Sequence, residues 1–249
     1  MKYLVCFLCA LTLAFGSAKA QDDKLDKLSF EETPLWDEKQ PYFAVGGGFL
    51  GTFLFTNFDE LNKSATAFGV GEFKSPVFLN GAQGFTAIGV VPNVRVGVLS
   101  IGGKATSQKT DTTLLTRTME YSTSLTGFTL DYAIQPFKHF AIIPGVMFGL
   151  GTVAVERSQT TASRSYTDPL PTANNFFHRM DAGITVLQPN LNIEYAVTQF
   201  SMIRINAGYM MSFVGDWKAD RQTTITGVPD NINSSGLTLQ FGVFVGLFN

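Results

Sequence analysis

The residues that decide the fold run from Leu187 to Tyr195 and read LQPNLNIEY. One alternate set of positions in this stretch holds Leu, Pro, Leu, Ile and Tyr, and the other set holds Gln, Asn, Asn and Glu. Successive side chains of a β-strand point to opposite faces, so the alternation predicts a strand with one apolar face and one polar face.

The same period of two returns elsewhere in the chain. It is clear in residues 128–135 (FTLDYAIQ), 203–209 (IRINAGY) and 237–243 (LTLQFGV). The pattern therefore predicts an all-β chain. A soluble sandwich also alternates, with its polar face in water, so the lengths of the connections between strands have to decide which face is outside.

The connections alternate strictly between short and long. The short ones are 91–94, 136–139 and 198–200, and the long polar ones are 56–82, 103–113, 157–175 and 215–236. They separate eight predicted strands, at 42–55, 83–91, 94–102, 114–135, 139–156, 176–197, 201–214 and 236–248. Short turns at one end and long loops at the other are typical of membrane barrels, so we predict a closed, up-and-down, antiparallel transmembrane β-barrel.

Two alternatives stay open at this level. A ten-stranded barrel results if the first long loop contains an extra hairpin, and a soluble periplasmic barrel results if the outward apolar face is covered.

In the first loop, the stretch from Asn57 to Asn62 predicts one or two helical turns capped by Asn57. Several predicted strands exceed the roughly 9–11 residues that cross a bilayer, so we expect them to project beyond it.

The first 41 residues differ from the rest of the chain. Residues 1–20 have a positive start, an apolar stretch and an A-x-A site at 18–20, which predicts a cleaved signal peptide. Residues 21–41 are charged and lack the strand period, so we expect a periplasmic tail, and residues 42–249 form the barrel. Both cysteines, Cys6 and Cys9, lie in the signal peptide. The exported chain therefore holds neither a disulfide nor a cysteine metal site.

These patterns give the chain a resemblance to the small outer-membrane barrels of bacteria. Its predicted architecture is similar to that of the OmpA transmembrane domain, OmpX and OmpW, over nearly all of residues 42–249. The resemblance implies location in the outer membrane, contact with outer-membrane lipid, assembly by the barrel-assembly machinery, and a monomer. Such proteins usually end on an aromatic residue, whereas this chain ends Leu247-Phe248-Asn249.

Charge and hydropathy exclude other classes. The chain has a formal net charge of −2, and because its signal peptide holds two lysines and no acid, the mature chain has −4. A net negative charge does not favour binding to the phosphates of nucleic acid, so the charge argues against a nucleic-acid-binding protein. The longest uncharged apolar stretch, 140–155, is shorter than the roughly 20 residues that a spanning helix needs.

Four charged residues stand at positions where the alternation predicts a lumen-facing side chain: Arg95, Asp131, Glu194 and Arg204. Each lies a few residues from a short turn, so all four are expected in one layer near the periplasmic end, with Arg95–Asp131 and Glu194–Arg204 as partners on neighbouring strands. An eight-stranded barrel has an interior about wide enough for side chains alone, so unpaired charges there are costly. Two interpretations follow: a satisfied polar core, or a gate whose pairs exchange.

Residues with catalytic chemistry are few. The chain has only two histidines, His139 in a predicted turn and His178 near the loop-side rim, and no serine lies within three residues of His178. A barrel enzyme that modifies envelope lipids needs a serine, a histidine and an acid or amide that converge. We therefore predict no enzyme, no metal and no cofactor, and keep a lipid-modifying enzyme as an alternative that needs a cross-strand nucleophile.

Aromatic residues and loop composition complete the prediction. Two interfacial belts are expected. The turn-side belt is Tyr42, Phe43, Tyr132, Phe137, Phe140, Tyr195, Phe200 and Phe248, and the loop-side belt is Phe53, Phe55, Phe176, Phe177, Phe213 and Trp217. The loops are rich in Ser, Thr, Asn and Asp, which suits either plain solvation or an external ligand. The leading functional hypothesis is a non-enzymatic structural or surface-interaction barrel with a side-chain-filled lumen, and the alternative is a narrow gated pore or transporter for small solutes or small apolar molecules.

Overall fold

The structure is a computed structural model that describes residues 42–112, 115–161 and 175–248. The predicted signal peptide and periplasmic tail lie outside these residues. Within the described ranges, ten strands and one helix follow in chain order: β1 (Ala44–Thr56), α1 (Asp59–Phe68), β2 (Val77–Ala87), β3 (Val94–Thr110), β4 (Leu115–Tyr132), β5 (Ile134–Phe137), β6 (Phe140–Thr161), β7 (Phe176–Thr198), β8 (Ser201–Ala219), β9 (Thr223–Ile225) and β10 (Gly236–Phe248).

Eight of the strands close into a ring. The order is β1-β2-β3-β4-β6-β7-β8-β10, every pair is antiparallel, and β10 pairs with β1 to close the barrel. The short strands β5 and β9 pair only with β6 and β8. The prediction of eight strands is therefore confirmed, and the first loop supplies a helix rather than an extra hairpin.

The register fixes the tilt of the strands. Following paired residues once round the ring from Gly46 leads back to β1 at Thr56, ten residues further along. With a rise of about 3.3 Å per residue and a strand spacing of about 4.8 Å, this stagger gives a tilt of about 40°. Each residue then rises about 2.5 Å along the barrel axis.

The strands are longer than predicted at the loop end. Strand β3 continues to Thr110, β6 to Thr161 and β8 to Ala219, and β2 begins at Val77. Predicting loops at 56–82, 103–113, 157–175 and 215–236 was wrong for these residues, because most of their outward positions carry polar side chains such as Lys104, Thr106 and Ser158, which a sequence pattern assigns to loops. The wall is consequently uneven: β1, β2 and β10 have 11–13 residues, while β3, β4, β6, β7 and β8 have 17–23.

The helix in the first connection is longer than the predicted one or two turns. Asn57 Oδ1 accepts a hydrogen bond from the Asp59 backbone N–H at 2.7 Å, although the position before the first helical turn belongs to Phe58. The helix ends at Gly69, whose φ of 84° is the left-handed conformation that favours glycine. Leu61 and Ala65 face inward and are buried, so one face of α1 packs into the mouth of the barrel.

The outer face of the ring is apolar and the inner face is mixed. Phe49, Phe128 and Val245 are 81%, 71% and 69% exposed. Tyr132, Tyr195 and Phe200 at the turn side and Phe55, Phe177 and Phe213 at the loop side point outward as predicted. Phe248 and Trp217 were placed in the belts wrongly, because both are buried with the interior cluster, and half-buried Tyr42 packs against that cluster too. Among the residues described, no helix is long and apolar enough to cross a membrane.

Candidate functional site

The four predicted lumen charges lie together in the interior. Arg95 on β3 is the direct cross-strand neighbour of Asp131 on β4, and Glu194 on β7 is the direct neighbour of Arg204 on β8. Their side chains are between 0% and 3% exposed. The residues therefore form one buried layer, which we call the charge layer.

The Arg95 guanidinium joins two walls of the barrel. Its Nε and Nη2 donate to Asp131 Oδ2 at 3.1 and 2.9 Å. Its Nη1 donates to both carboxylate oxygens of Glu194, at 2.8 and 3.0 Å. Because β3 and β7 are not neighbours in the ring, this second contact crosses the lumen.

Glu194 is the centre of the charge layer. Its Oε1 accepts from Arg95 and also from Arg204 Nε, at 2.6 Å. Arg204 Nη1 donates to Gln83 Oε1 on β2. The two predicted pairs are thus one network that touches five strands, and its formal charge is neutral because two arginines face two carboxylates.

Aromatic rings complete the layer. Phe85 contacts both guanidiniums, whose Cζ atoms are 4.3 Å (Arg95) and 4.7 Å (Arg204) from its ring centroid. Phe244 contacts Arg204 at 4.1 Å. A guanidinium packed on a ring face is stabilised by the negative face of that ring, so the rings fill space and bind charge together.

Tyr42 closes the layer on the turn side. Arg95 Nη1 donates to its hydroxyl oxygen at 3.2 Å. Burial raises the pKa of Tyr42 to about 12, against the attraction of Arg95, which lowers it. The phenol is therefore neutral at physiological pH. A recess of about 20 Å³ lies beside Tyr42, His139 and Phe248 on the turn side.

Amide side chains form the next layer toward the loops. Asn206 Nδ2 donates to Asn192 Oδ1 at 2.7 Å, Gln188 Nε2 donates to Thr238 at 3.0 Å, and Gln240 Nε2 donates to Thr52 at 2.8 Å. The cavity between this layer and Asp131 has a volume of about 10 Å³, the space of about one water molecule.

Apolar side chains and α1 fill the loop-side half. Leu54, Leu79 and Met210 are fully buried above the amide layer. Phe58, just before α1, packs edge-on against Tyr121 of β4 with centroids 5.1 Å apart. The Tyr121 hydroxyl meets Ser234 at 2.9 Å, which ties the last long loop to the same wall.

Alternation and strand order predicted the four charges and their two adjacent pairs, but not the other side chains of the charge layer or the contact across the lumen. Gln83, Phe85 and Phe244 also stand at lumen positions, yet a glutamine or phenylalanine in an alternating strand has no signal that separates it from other core residues. The Arg95–Glu194 contact joins residues 99 apart in the chain. Only the closure of the ring brings them together.

The two histidines lie apart from the charge layer. His139 is exposed in the turn between β5 and β6. His178, at the loop end of β7, has its Nδ1 3.9 Å from Asp220 Oδ2, and both side chains are largely accessible. Its direct cross-strand neighbour on β6 is Arg157 rather than a serine. Neither of these two neighbours of His178 supplies the nucleophile that a lipid-modifying enzyme needs.

Comparison with known proteins yields structural likeness only. No protein-family model matches the chain, and no curated protein matches it. Similar solved structures include Ail, the attachment invasion locus protein of Yersinia pestis (10% identity, 83% of this chain, 99% of that chain, TM-score 0.36). A major outer membrane protein from Thermus thermophilus has 12% identity, coverage of 82% and 99%, and a TM-score of 0.45. Acinetobacter baumannii CarO2 has 8% identity, coverage of 82% and 99%, and a TM-score of 0.37.

The chain's own geometry carries the architectural conclusion. Eight antiparallel strands close without an edge, an apolar surface faces outward and a polar network fills one end of the interior. Closed barrels of this kind are one of the two ways in which a backbone can cross a bilayer with all its hydrogen bonds made. The fold is that of a small outer-membrane β-barrel.

Proposed function

We propose that this chain is a non-enzymatic protein of the bacterial outer membrane that works through its external surface, with a lumen that does not conduct. The observation that carries this proposal is the charge layer, which spans the lumen from β3 to β7 with side chains that are at most 3% exposed. The proposal includes a monomer that is assembled by the barrel-assembly machinery and surrounded by outer-membrane lipid.

The outer surface supports the membrane location. Outward positions of β10 hold only apolar residues: Leu237, Leu239, Phe241, Val243, Val245 and Leu247. All are at least 42% exposed on the barrel surface. A surface of this kind is an aggregation hazard in water, whereas a lipid bilayer covers it.

The filled lumen supports the absence of conduction. Three successive layers close it: the charge layer, the amide layer and the apolar cluster that includes α1. Breaking a buried ion pair by removing one partner costs about 3–5 kcal/mol, so states with an unpaired charge in the charge layer are sparsely populated. This argument favours a polar core with fixed ion pairs over a gate, and within that core Asp131 Oδ1 and Arg204 Nη2 are buried without hydrogen-bond partners.

The uneven wall supports a role at the cell surface. Strand β7 has 23 residues, which at about 2.5 Å of rise per residue span about 58 Å, against an apolar band of about 25 Å in such barrels. The five long strands therefore raise a curved wall above the membrane, and loops next to α1 sit inside it. A surface with this relief is suited to contact with an external partner.

Single-channel recording tests the proposal. The mature protein is refolded into a planar bilayer, and a heat-modifiable shift in gel mobility establishes that the barrel has formed. We expect insertion without discrete conductance. Stable channels that change in size when Arg204 or Glu194 is neutralised would overturn the sealed lumen and favour the gated pore.

A further inference from the structure

A second group of charged residues lies at the opposite end of the interior from the charge layer. On the projecting wall, four basic residues occupy strand positions on the lumen-facing side of the alternation: Lys109 on β3, Arg117 on β4, Arg157 on β6 and His178 on β7. We call them the mouth cluster. The sequence pattern does not identify these four residues as a group, because they are spread from residue 109 to residue 178 of the chain.

The register makes the four residues neighbours. Lys109 is directly opposite Arg117, and Arg157 is directly opposite His178. Arg117 faces Gln159, which is two residues from Arg157 on the same strand. Arg117 and Arg157 are thus diagonal neighbours on one face, with Cβ atoms on the order of 7 Å apart. Four basic side chains therefore form a continuous strip across four strands.

Among the residues that the structure describes, the two arginines have no carboxylate partner. In the described part of the chain every ion pair involves other residues, apart from the loose contact between His178 and Asp220. Arg157 Nη2 donates to Ser64 of α1, and Arg157 Nε is buried without a hydrogen-bond acceptor. Arg117 Nε donates to Gln159 Oε1 at 3.0 Å. A half-buried guanidinium with unused donors is the group that binds oxyanions most specifically.

Helix α1 contributes only partial compensation. A side chain on Gly69 would meet Arg117 Nη1 at 2.9 Å, so this guanidinium lies beside the C-terminal end of α1, the negative end of the helix dipole. That dipole amounts to about half a charge and falls off within a turn. Two like charges on neighbouring strands destabilise each other, and an anion between them relieves this repulsion.

We propose that the mouth cluster is a binding site for the sulfate or phosphate groups of an external anionic saccharide, with Arg117 and Arg157 as its anchors. The direction of the side chains decides between saccharide and membrane lipid. Arg179, one residue from His178, points to the outer face and pairs with Glu156 there, whereas the mouth cluster points into the barrel mouth. An oxyanion that reaches the cluster comes from solution above the membrane. This proposal gives the surface role a ligand class and does not depend on whether the lumen conducts.

Binding of fluorescent dextran sulfate to the full mature protein in nanodiscs of zwitterionic lipid tests the site, with uncharged dextran as the reference. We expect salt-sensitive binding of dextran sulfate, competition by inorganic pyrophosphate, and no binding of dextran. The double variant R117Q/R157Q is expected to bind dextran sulfate about tenfold more weakly or worse, because two charge-assisted contacts are lost.

The control variant removes the same amount of charge from the same wall. Lys104 and Arg179 face outward on the same wall, Arg179 next to His178 and Lys104 five residues below Lys109, and they are paired with Glu120 and Glu156, so the double variant K104Q/R179Q should bind dextran sulfate like the wild type. Equal weakening in both double variants would reduce the effect to general charge and overturn the site. Absence of binding by the heat-modifiable wild type would overturn it too.

A lipid source is separated by a second set of nanodiscs. Nanodiscs with anionic phosphatidylglycerol are compared with zwitterionic ones by hydrogen exchange of the β4 and β6 amides. Protection that appears only with phosphatidylglycerol and is lost in R117Q/R157Q would assign the site to lipid headgroups and overturn the saccharide proposal. The conductance experiment is independent of these measurements, so failure of the sealed lumen and failure of this site give different results.

Discussion

At the scale of single residues, Glu194 holds the interior together. It is the one carboxylate in the charge layer that accepts hydrogen bonds from both arginines, and its side chain is 3% exposed. The arginines have been taken out of water and rely on this charge. The surface pair Lys104–Glu120, at 64% and 22% exposure, has no such dependence because water solvates both groups.

Replacing Glu194 by Gln is expected to lower the free energy of unfolding by about 3–5 kcal/mol, since two buried guanidiniums lose their shared counter-charge. The measurement is urea-induced unfolding in a lipid bilayer. Glu120→Gln serves as the matched control, with an expected change of at most about 1 kcal/mol. Equal effects of the two variants would show that the charge layer contributes no more than a surface pair.

Gly145 lies where the wall makes room for Asp131. A Cβ at Gly145 would overlap Asp131 Oδ1 and come within 3.1 Å of the Leu130 carbonyl oxygen. We expect Gly145→Ala to destabilise the barrel by about 1–3 kcal/mol, as overpacked interiors do. Gly183→Ala is the control, because no atom lies within 4 Å of its added Cβ. The same unfolding assay would contradict this account if the two alanines behaved alike.

At the scale of elements, the strands owe their faces to the period of two and α1 owes its position to packing. The helix has an acidic first turn and a glycine stop, both ordinary local signals. Its location in the barrel mouth depends on Leu61 and Ala65 meeting the interior cluster. An isolated ten-residue helix is marginal in water, so α1 is held by its tertiary contacts.

Truncation of the buried face of α1 is expected to free the helix without unfolding the barrel. Leu61→Ala removes a side chain that is 3% exposed, at a cost of about 2–5 kcal/mol. Amide hydrogen exchange should accelerate in α1 and remain slow in β4 and β6. Lys63→Ala, whose side chain is 72% exposed, should leave exchange in α1 nearly unchanged, and uniform acceleration over the barrel would argue against independent release of the helix.

At the scale of the whole molecule, closure of the ring places one set of alternating side chains on an apolar outer surface and the other set in a filled interior. The shorter strands β10, β1 and β2 end near the level at which the apolar band ends, while the others continue upward. Ion pairs on the outer face of the described residues, such as Arg179–Glu156, occur only on the long strands, above the band. The molecule therefore has a membrane part and a projecting part.

The free-energy cost of a positive charge on the outer face should differ between the membrane part and the projecting part. Val243→Arg places a guanidinium on β10 in the middle of the apolar band, which is expected to cost about 2–4 kcal/mol in a bilayer. Thr106→Arg, outward and exposed at the upper end of β3, should cost at most about 1 kcal/mol. Unfolding from lipid vesicles measures both variants, and a negligible effect of Val243→Arg would contradict the membrane placement.

The sequence by itself determined the strand number, the inward direction of Arg95, Asp131, Glu194 and Arg204, and the alternation of short and long connections. These features are local, because the side-chain period of a strand and the length of a connection both depend only on the residues of that segment. The adjacent pairs Arg95–Asp131 and Glu194–Arg204 followed because consecutive strands of such a barrel are neighbours.

Only the tertiary structure decided which distant residues meet. Closure with a stagger of ten residues sets Arg95 against Glu194 across the lumen and brings both guanidiniums onto Phe85, and the register of β4 with β6 sets Arg117 beside Arg157 at the mouth. Trp217 faces inward, against the belt prediction, because β8 has one extra residue between its pairs with Ala182 and Ile184, and Phe248 faces inward with Gln240 and Phe244 on the same side of β10. The reason is physical: a face is a property of one strand, whereas a register belongs to the whole ring and is set only when the last strand pairs with the first.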